Sequence, residues 1–456
     1  MPVRQVPQTD VRYYLVCFDE QGRERREPDG SLLSATVGQL ISDRREGITD
    51  VFLASHGWKG DVPAAIEQYD RWVGEMVRSP DRAAAGVARP GFKAIVVGLH
   101  WPSLPFGDEE IVAAEGGLLS DDGDADVARQ IEQYVASLGD TPRVRGALQT
   151  ILEASQQDDG QLDALPEDVR RAYDALFAEA FPNDLGSGTL GAPPGADHGE
   201  WNPDAIYREA RETATDVPEG GPGLLGGGLF GTVRGLLVAP LQQLSFWKMK
   251  DRARLIGETG AHAMLGQLQR AAHPDIHFHL MGHSFGCIVV SAAVAGAPGG
   301  ASQPRPVQSL FLVQGALSLW SFCSDIPYDP GQAGYFSRIV KQSLVEGPIV
   351  TTRSTYDSAV KKLYPKAAGL AGQFVLDEEL PKYGGVGSFG VQGLGNLAED
   401  LALQSAAFAY KFKKKHVYNL EASGTIKNGG GFSGAHSDIA HPEVAHAMWQ
   451  AVLARD

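Results

Sequence analysis

The chain has 456 residues, 43% of them hydrophobic and 21% charged, with a formal net charge of −16. It is long enough to bury a large core and long for a single domain, so a second unit or a large insertion is expected. An acidic balance with a pI near 5.2 argues against nucleic acid as a partner.

In chain order, Tyr13–Phe18 is strand-like, Asp50–Ser55 is an apolar strand, Ala64–Val77 has helical periodicity, and Ala94–His100 is a strand running into Trp101-Pro102. Residues 104 to about 247 break that rhythm. Between 107 and 220 there are 26 Asp plus Glu against seven Arg and no Lys, so this segment carries −19 and the rest of the chain is near +3. Helices are expected near 123–138, 143–156 and 166–180, with a Gly/Pro-rich linker over 183–200. Gly220–Trp247 is apolar and Gly-rich, with Leu236 and Leu237 near its centre, and is too broken by glycine and Pro240 to be a spanning helix. Such a return segment suits the wall of an apolar ligand pocket, a surface that touches lipid transiently, or a buried connector.

Beyond it, Asp251–Ala272 reads as a helix, Ile276–Met281 as a short buried strand, Cys287–Val294 as a helix, and Val307–Gln314 as a strand. Pro348–Arg353 is a further strand, followed by an apparent helix over Ser358–Tyr364. Lys411–Lys415 reads as a solvated helix end, not as a nucleic-acid patch, before the last strand, His416–Glu421. A Gly-rich loop over Gly424–Gly434 and a final helix from Pro442 to about Ala454 complete the chain. The alternation argues an α/β fold with a mostly parallel sheet and helices on both faces.

The chemistry concentrates at Gly282-His283-Ser284-Phe285-Gly286. Gly-x-Ser-x-Gly between an apolar strand and an apolar helix puts the serine on a tight turn, where the helix N-terminus favours developing negative charge. Nucleophilic catalysis then needs a base and a group to orient it, following the serine as acid and then histidine. His436, between the last strand and the last helix, stands where the base belongs; His441 and His446 lie beside and inside the final helix. Asp357 lies just past the strand ending at Arg353, with Asp325, Asp329, Asp400 and Asp438 as rivals for the acid. The backbone N–H of Phe285 supplies one oxyanion donor. A second is expected from Trp58, after the turn at His56-Gly57, although that pair also reads as a plain turn beside a core tryptophan.

His56-Gly57-Trp58, the elbow, Asp357 and His436, in this order, resemble the α/β-hydrolase fold family and its lipase and esterase branch. The resemblance covers roughly residues 10–103 and 248–456 as the core and has no match for 104–247, whose charge segregation reads as an acidic helical cap or as a solvated decoration with no part in the reaction. It implies a Ser-His-Asp triad at the carboxyl edge of the sheet, hydrolysis through an acyl-enzyme, and neither metal nor organic cofactor, but no particular substrate; a small or lipid-like carboxylic ester is the substrate expected here. Amide hydrolysis by the same residues is one alternative. Another is a non-catalytic protein of this fold that binds a partner through its cap. Cys17, Cys287 and Cys323 make no disulfide framework, Met1–Asp10 has no apolar signal core, and no run of about twenty apolar residues spans a membrane. A cytoplasmic location is therefore expected.

Overall fold

The computed structural model describes residues 3–57, 62–103, 123–157, 163–181, 201–215, 236–358, 360, 380–381, 384–429 and 434–454. The expected linker at 183–200, the first part of Gly220–Trp247 and most of the helix expected after Asp357 lie outside these residues, as does Trp58. The strands are β1 (Val3–Gln5), β2 (Arg12–Cys17), β3 (Asp50–Ser55), β4 (Ala94–His100), β5 (His277–His283), β6 (Ser309–Val313), β7 (Ile349–Arg353), β8 (Ala398–Ala402) and β9 (Val417–Glu421). They join in one sheet in the order β1-β2-β4-β3-β5-β6-β7-β9-β8, antiparallel between β1 and β2 and parallel elsewhere.

The central strands are nearly continuous apolar runs because a parallel sheet is covered on both faces. Every residue of β3 and of β6 is buried. Side chains alternate between the faces. Val51 and Leu53 enter one core cluster, with helices α1 (Leu33–Ser42), α8 (Ala239–Ile256), α9 (His262–Ala271) and α10 (Gly286–Ala295). Phe52 and Ala54 enter the other, with α2 (Val62–Arg78), α3 (Pro80–Ala88) and the final helix α11 (Pro442–Val452).

Four helices of the acidic segment, α4 (Gly123–Leu138), α5 (Pro142–Gln157), α6 (Glu167–Ala180) and α7 (Pro203–Thr215), follow β4. Their apolar sides, including Leu148, Ile151, Val169 and Leu176, join the cluster on the α8 and α10 face. Phe177 stacks on Trp201 at 5.1 Å, and Trp201 meets Trp247 of α8 edge-on at 5.7 Å.

Two local readings change. The helix expected from Asp251 begins at Ala239, because Pro240 occupies its first turn, where proline costs no hydrogen bond. Lys411–Lys415 is not a helix end but a loop and turn with Lys415 at φ 59°, shaped by Tyr410 and Phe412, which stack at 4.7 Å and bury into the core. β8 escapes a sequence reading because its Glu399 and Asp400 are exposed at the sheet edge, where charge discourages further strand pairing.

The amino end of the sheet carries a buried ionic cluster. Asp50 opens β3 fully buried, accepting from His279 Nε2 at 3.0 Å, from Thr49 Oγ1 at 2.6 Å and from Arg89. His277 Nδ1 stands 3.7 Å from the same carboxylate. Burial alone would raise the Asp50 pKa. The two histidines and Arg89 outweigh it and hold the carboxyl well below the usual range. Burial lowers the His279 pKa against the attraction of Asp50.

Both shifts work in one direction on acidification. The unfolded chain takes up protons that the folded one refuses, first at histidine below about pH 6.5 and then at the carboxyl below about pH 4. Stability should therefore fall with pH across that range. Asp50→Asn should cost about 3 kcal/mol in denaturant unfolding at neutral pH, because it removes the buried anion that half-buried Arg89 and buried His279 share. The gap from the parent should narrow below about pH 4, where the unfolded parent takes up the proton that the variant lacks. An Asn variant as stable as the parent at pH 7 would show that the cluster contributes nothing.

Candidate active site

β3 and β5 are adjacent and parallel, yet the chain leaves them toward opposite faces: β3 into α2, β5 into α10. Such divergence opens a crevice at the carboxyl ends of the strands. Ser284 follows β5 at the mouth of that crevice with φ 56°, a left-handed conformation rare for a residue with a side chain. Its amide donates to Val313 at 3.1 Å and its carbonyl accepts from Ala316 at 3.1 Å, so β6 and the loop after it clamp the turn. The two chains approach closely enough to require glycine. A Cβ on Gly286 would fall 2.3 Å from the Ser55 carbonyl oxygen, and one on Gly57 would fall 2.7 Å from Ser284 Cβ.

Loops after β7 and β9 bring the other two residues to the serine. His436 Nε2 lies 2.7 Å from Ser284 Oγ, and His436 Nδ1 lies 2.8 Å from Asp357 Oδ2. The carboxylate is fixed from two further sides, by Gln314 Nε2 at 2.9 Å on Oδ2 and by the Val360 amide at 3.0 Å on Oδ1. With a carboxylate on Nδ1–H, Nε2 is left bare to accept the serine proton. Ser284 and His436 are 4% and 9% exposed and Asp357 is fully buried, so charge at this site is weakly screened by water.

The rival carboxylates serve loops and the sheet edge. Asp438 accepts the amides of Lys427 and Asn428 at 3.0 and 2.8 Å, and His441 Nε2 lies 2.8 Å from it. Asp400 accepts from Asn419 at 2.9 Å, Asp325 accepts the Gly331 amide at 2.7 Å, and Asp329 closes a turn through its backbone. His446 is buried on α11 against Asp81 at 2.8 Å.

Gln314 has no counterpart in the sequence reading. Its signal was slight, a polar residue closing an apolar strand, and its φ of 46° was invisible. Thr352 Oγ1 donates to its Oε1 at 3.0 Å, which turns the amide nitrogen toward Asp357.

The loop after β3 is held rigidly up to Gly57. His56 Nδ1–H donates to the Gly57 carbonyl at 2.8 Å, and its Nε2 accepts the Trp101 amide at 3.3 Å. Burial, helped by His100, pushes its pKa down to about 3, so the ring stays neutral. The Tyr69 hydroxyl accepts the His56 amide at 2.9 Å, and Trp101 Nε1 donates to the His56 carbonyl at 3.2 Å.

Trp58 follows directly but lies outside the described residues. Phe285 precedes the first turn of α10, and its ring packs 5.1 Å from that of Phe246 on α8. Leu236 and Leu237, just before α8, are buried in the same core, where the Leu237 carbonyl accepts from Tyr173 at 2.5 Å.

Among the described residues, no group of three or more His, Cys, Asp or Glu is placed to hold a metal ion, and no helix is long and apolar enough to cross a membrane. Comparisons with protein-family models, with curated proteins and with solved structures returned no match.

The contact between Gly57 and Ser284 is open to a direct check. Gly57→Ala should lower unfolding stability by about 1–3 kcal/mol, because the added methyl has no room beside Ser284 Cβ. Unchanged stability would mean that the loop yields without cost.

Proposed function

We propose that the chain is a serine hydrolase of the α/β-hydrolase type, of the lipase and esterase branch, that cleaves carboxylic esters through an acyl-enzyme. The observation that carries this reading is the unbroken run from Ser284 Oγ through His436 to Asp357, with bonds of 2.7 and 2.8 Å, on a serine held in a left-handed turn. The order of strand, nucleophile, acid and histidine supports it. The substrate class rests on this chemistry.

In this reading Ser284 Oγ attacks the ester carbonyl carbon while His436 Nε2 takes the hydroxyl proton. Asp357 holds the imidazole in the tautomer that can accept it and balances the imidazolium that results. The carbonyl oxygen becomes an anion between the backbone N–H groups of Phe285 and Trp58. Collapse expels the alcohol, which takes the proton from His436. Water then attacks the acyl-serine by the same proton route and releases the acid.

The acidic helices of 104–247 are proposed as a cap, and the segment through Leu236 and Leu237 as an apolar wall for the acyl chain. Phe246 against Phe285 supports this, since α8 reaches the elbow. A small or lipid-like ester is the proposed substrate, with transient contact to lipid and no nucleic acid as partner. The unpaired thiols of Cys17, Cys287 and Cys323 fit a cytoplasmic setting.

Nitrophenyl esters test the reading. Ser284→Ala should lower turnover on the order of 10⁴-fold or more, and combining it with His436→Ala should add little. Asp357→Asn should cost about 10⁴-fold in kcat with KM little changed. Hydrolysis that survives Ser284→Ala at the parental rate would overturn the assignment, and a protein inert toward every ester would favour the non-catalytic alternative. In an acyl-length series, kcat/KM should gain about 0.8 kcal/mol per CH₂ and then level off. Leu236→Ser should flatten that climb for long chains more than for acetate, and equal losses would make this segment purely structural.

A further inference from the structure

His283 stands between Gly282 and Ser284, is 4% exposed, and has no role in the proton path above. Both of its ring nitrogens are nonetheless committed. Nε2 lies 2.9 Å from the backbone carbonyl oxygen of His436, and Nδ1 lies 2.7 Å from Gln68 Nε2. A carbonyl can only accept, so the ring proton sits on Nε2. That leaves Nδ1 bare to accept the Gln68 amide. The two imidazoles, of His283 and His436, are 5.0 Å apart between centroids and tilted by 40°.

The covalent path gives this bond its leverage. His283 is bonded directly to Ser284, and its ring holds the backbone of the residue whose own ring takes the serine proton. The serine and its base, 152 residues apart in sequence, are thus tied twice: through Oγ and Nε2, and through the His283 ring and the His436 carbonyl. The second tie is backbone-directed and does not depend on the state of the serine. Gln68 sits on α2, the helix that follows the Gly57 loop, so the chain from Gln68 through His283 to His436 links the oxyanion side of the crevice to the base side.

Neutrality matters here too. Burial first, and the nearness of His436 second, push the His283 pKa down to about 3, so the ring does not add positive charge beside an imidazolium.

We propose that His283, locked by Gln68, is a positioning residue that sets the height of the His436 loop over Ser284 through the His436 carbonyl. This rests on the hydrolase reading, and the test separates the two. The probe is a fluorophosphonate, measured as a second-order labelling rate beside a thermal melt for each variant.

The parent should be labelled, and a parent that is not labelled removes the hydrolase reading and with it the role of His283. Given a labelled parent, His283→Leu should slow labelling roughly tenfold to a hundredfold, the scale expected for a misplacement of about 1 Å. His283→Gln, whose amide N–H reaches toward the place of the ring Nε2–H, should recover most of that rate. Gln68→Leu leaves the ring but frees its orientation, and should slow labelling by roughly threefold to tenfold with the melting temperature little changed, well short of the loss from His283→Leu.

Labelling of His283→Leu within about threefold of the parent would overturn the proposal, as would equal losses in the Leu and Gln variants that track their melting temperatures. Should the Leu variant fail to fold, an unaltered labelling rate in Gln68→Leu would overturn it equally.

Discussion

The left-handed backbone of Ser284 is the constraint on which the rest of the site depends. A non-glycine residue at φ 56° costs about 1–3 kcal/mol unless its surroundings fix it. The surroundings here do so from three sides. β6 grips the amide and the loop beyond it grips the carbonyl, and Gly57 and Gly286 allow the β3 loop to press against the turn. α10, buried along its whole length, cannot shift to relieve it. Ile288, Val289 and Val290 each contribute on the order of 1.5–3 kcal/mol by burial, enough to offset the strain several times over.

The two ends of the same sheet make an instructive comparison. At the amino end, Ser309 Oγ lies 2.8 Å from His279 Nδ1, and His279 Nε2 lies 3.0 Å from Asp50, so a serine, a histidine and an aspartate again form a hydrogen-bonded run. It lacks what the carboxyl end has. Ser309 lies within β6, 3% exposed, with no turn to lift its hydroxyl out of the sheet. Asp50 already has Arg89 as counter-charge, so it neutralises a cation instead of waiting for one to form. Residue types alone do not tell the two runs apart; the left-handed turn and the crevice set Ser284 apart from Ser309.

The central strands and the helices α2 and α10 were legible as apolar runs, Ser284 and Asp357 because each closely follows such a run, and His436 because it lies in the loop between the last strand and the last helix. Asp357 stood out from Asp325, Asp329 and Asp400 by following a β-type run closely. What was not legible depends on contacts between distant segments. Gln314 is aimed by Thr352, 38 residues away, and His283 is held by Gln68, 215 residues away. The early start of α8 was hidden because proline reads as a breaker until its place in a first turn is known. β8 was hidden because an exposed acidic edge has no apolar signature.

The proposed function turns on an acyl group carried by Ser284. Brief mixing with a nitrophenyl ester, acid quench and peptide mapping by mass spectrometry tests it most directly. One acyl group is expected on the peptide containing Ser284, formed as nitrophenol is released and missing in Ser284→Ala. Ester turnover with the acyl group on another residue, or with the same adduct in Ser284→Ala, would contradict it.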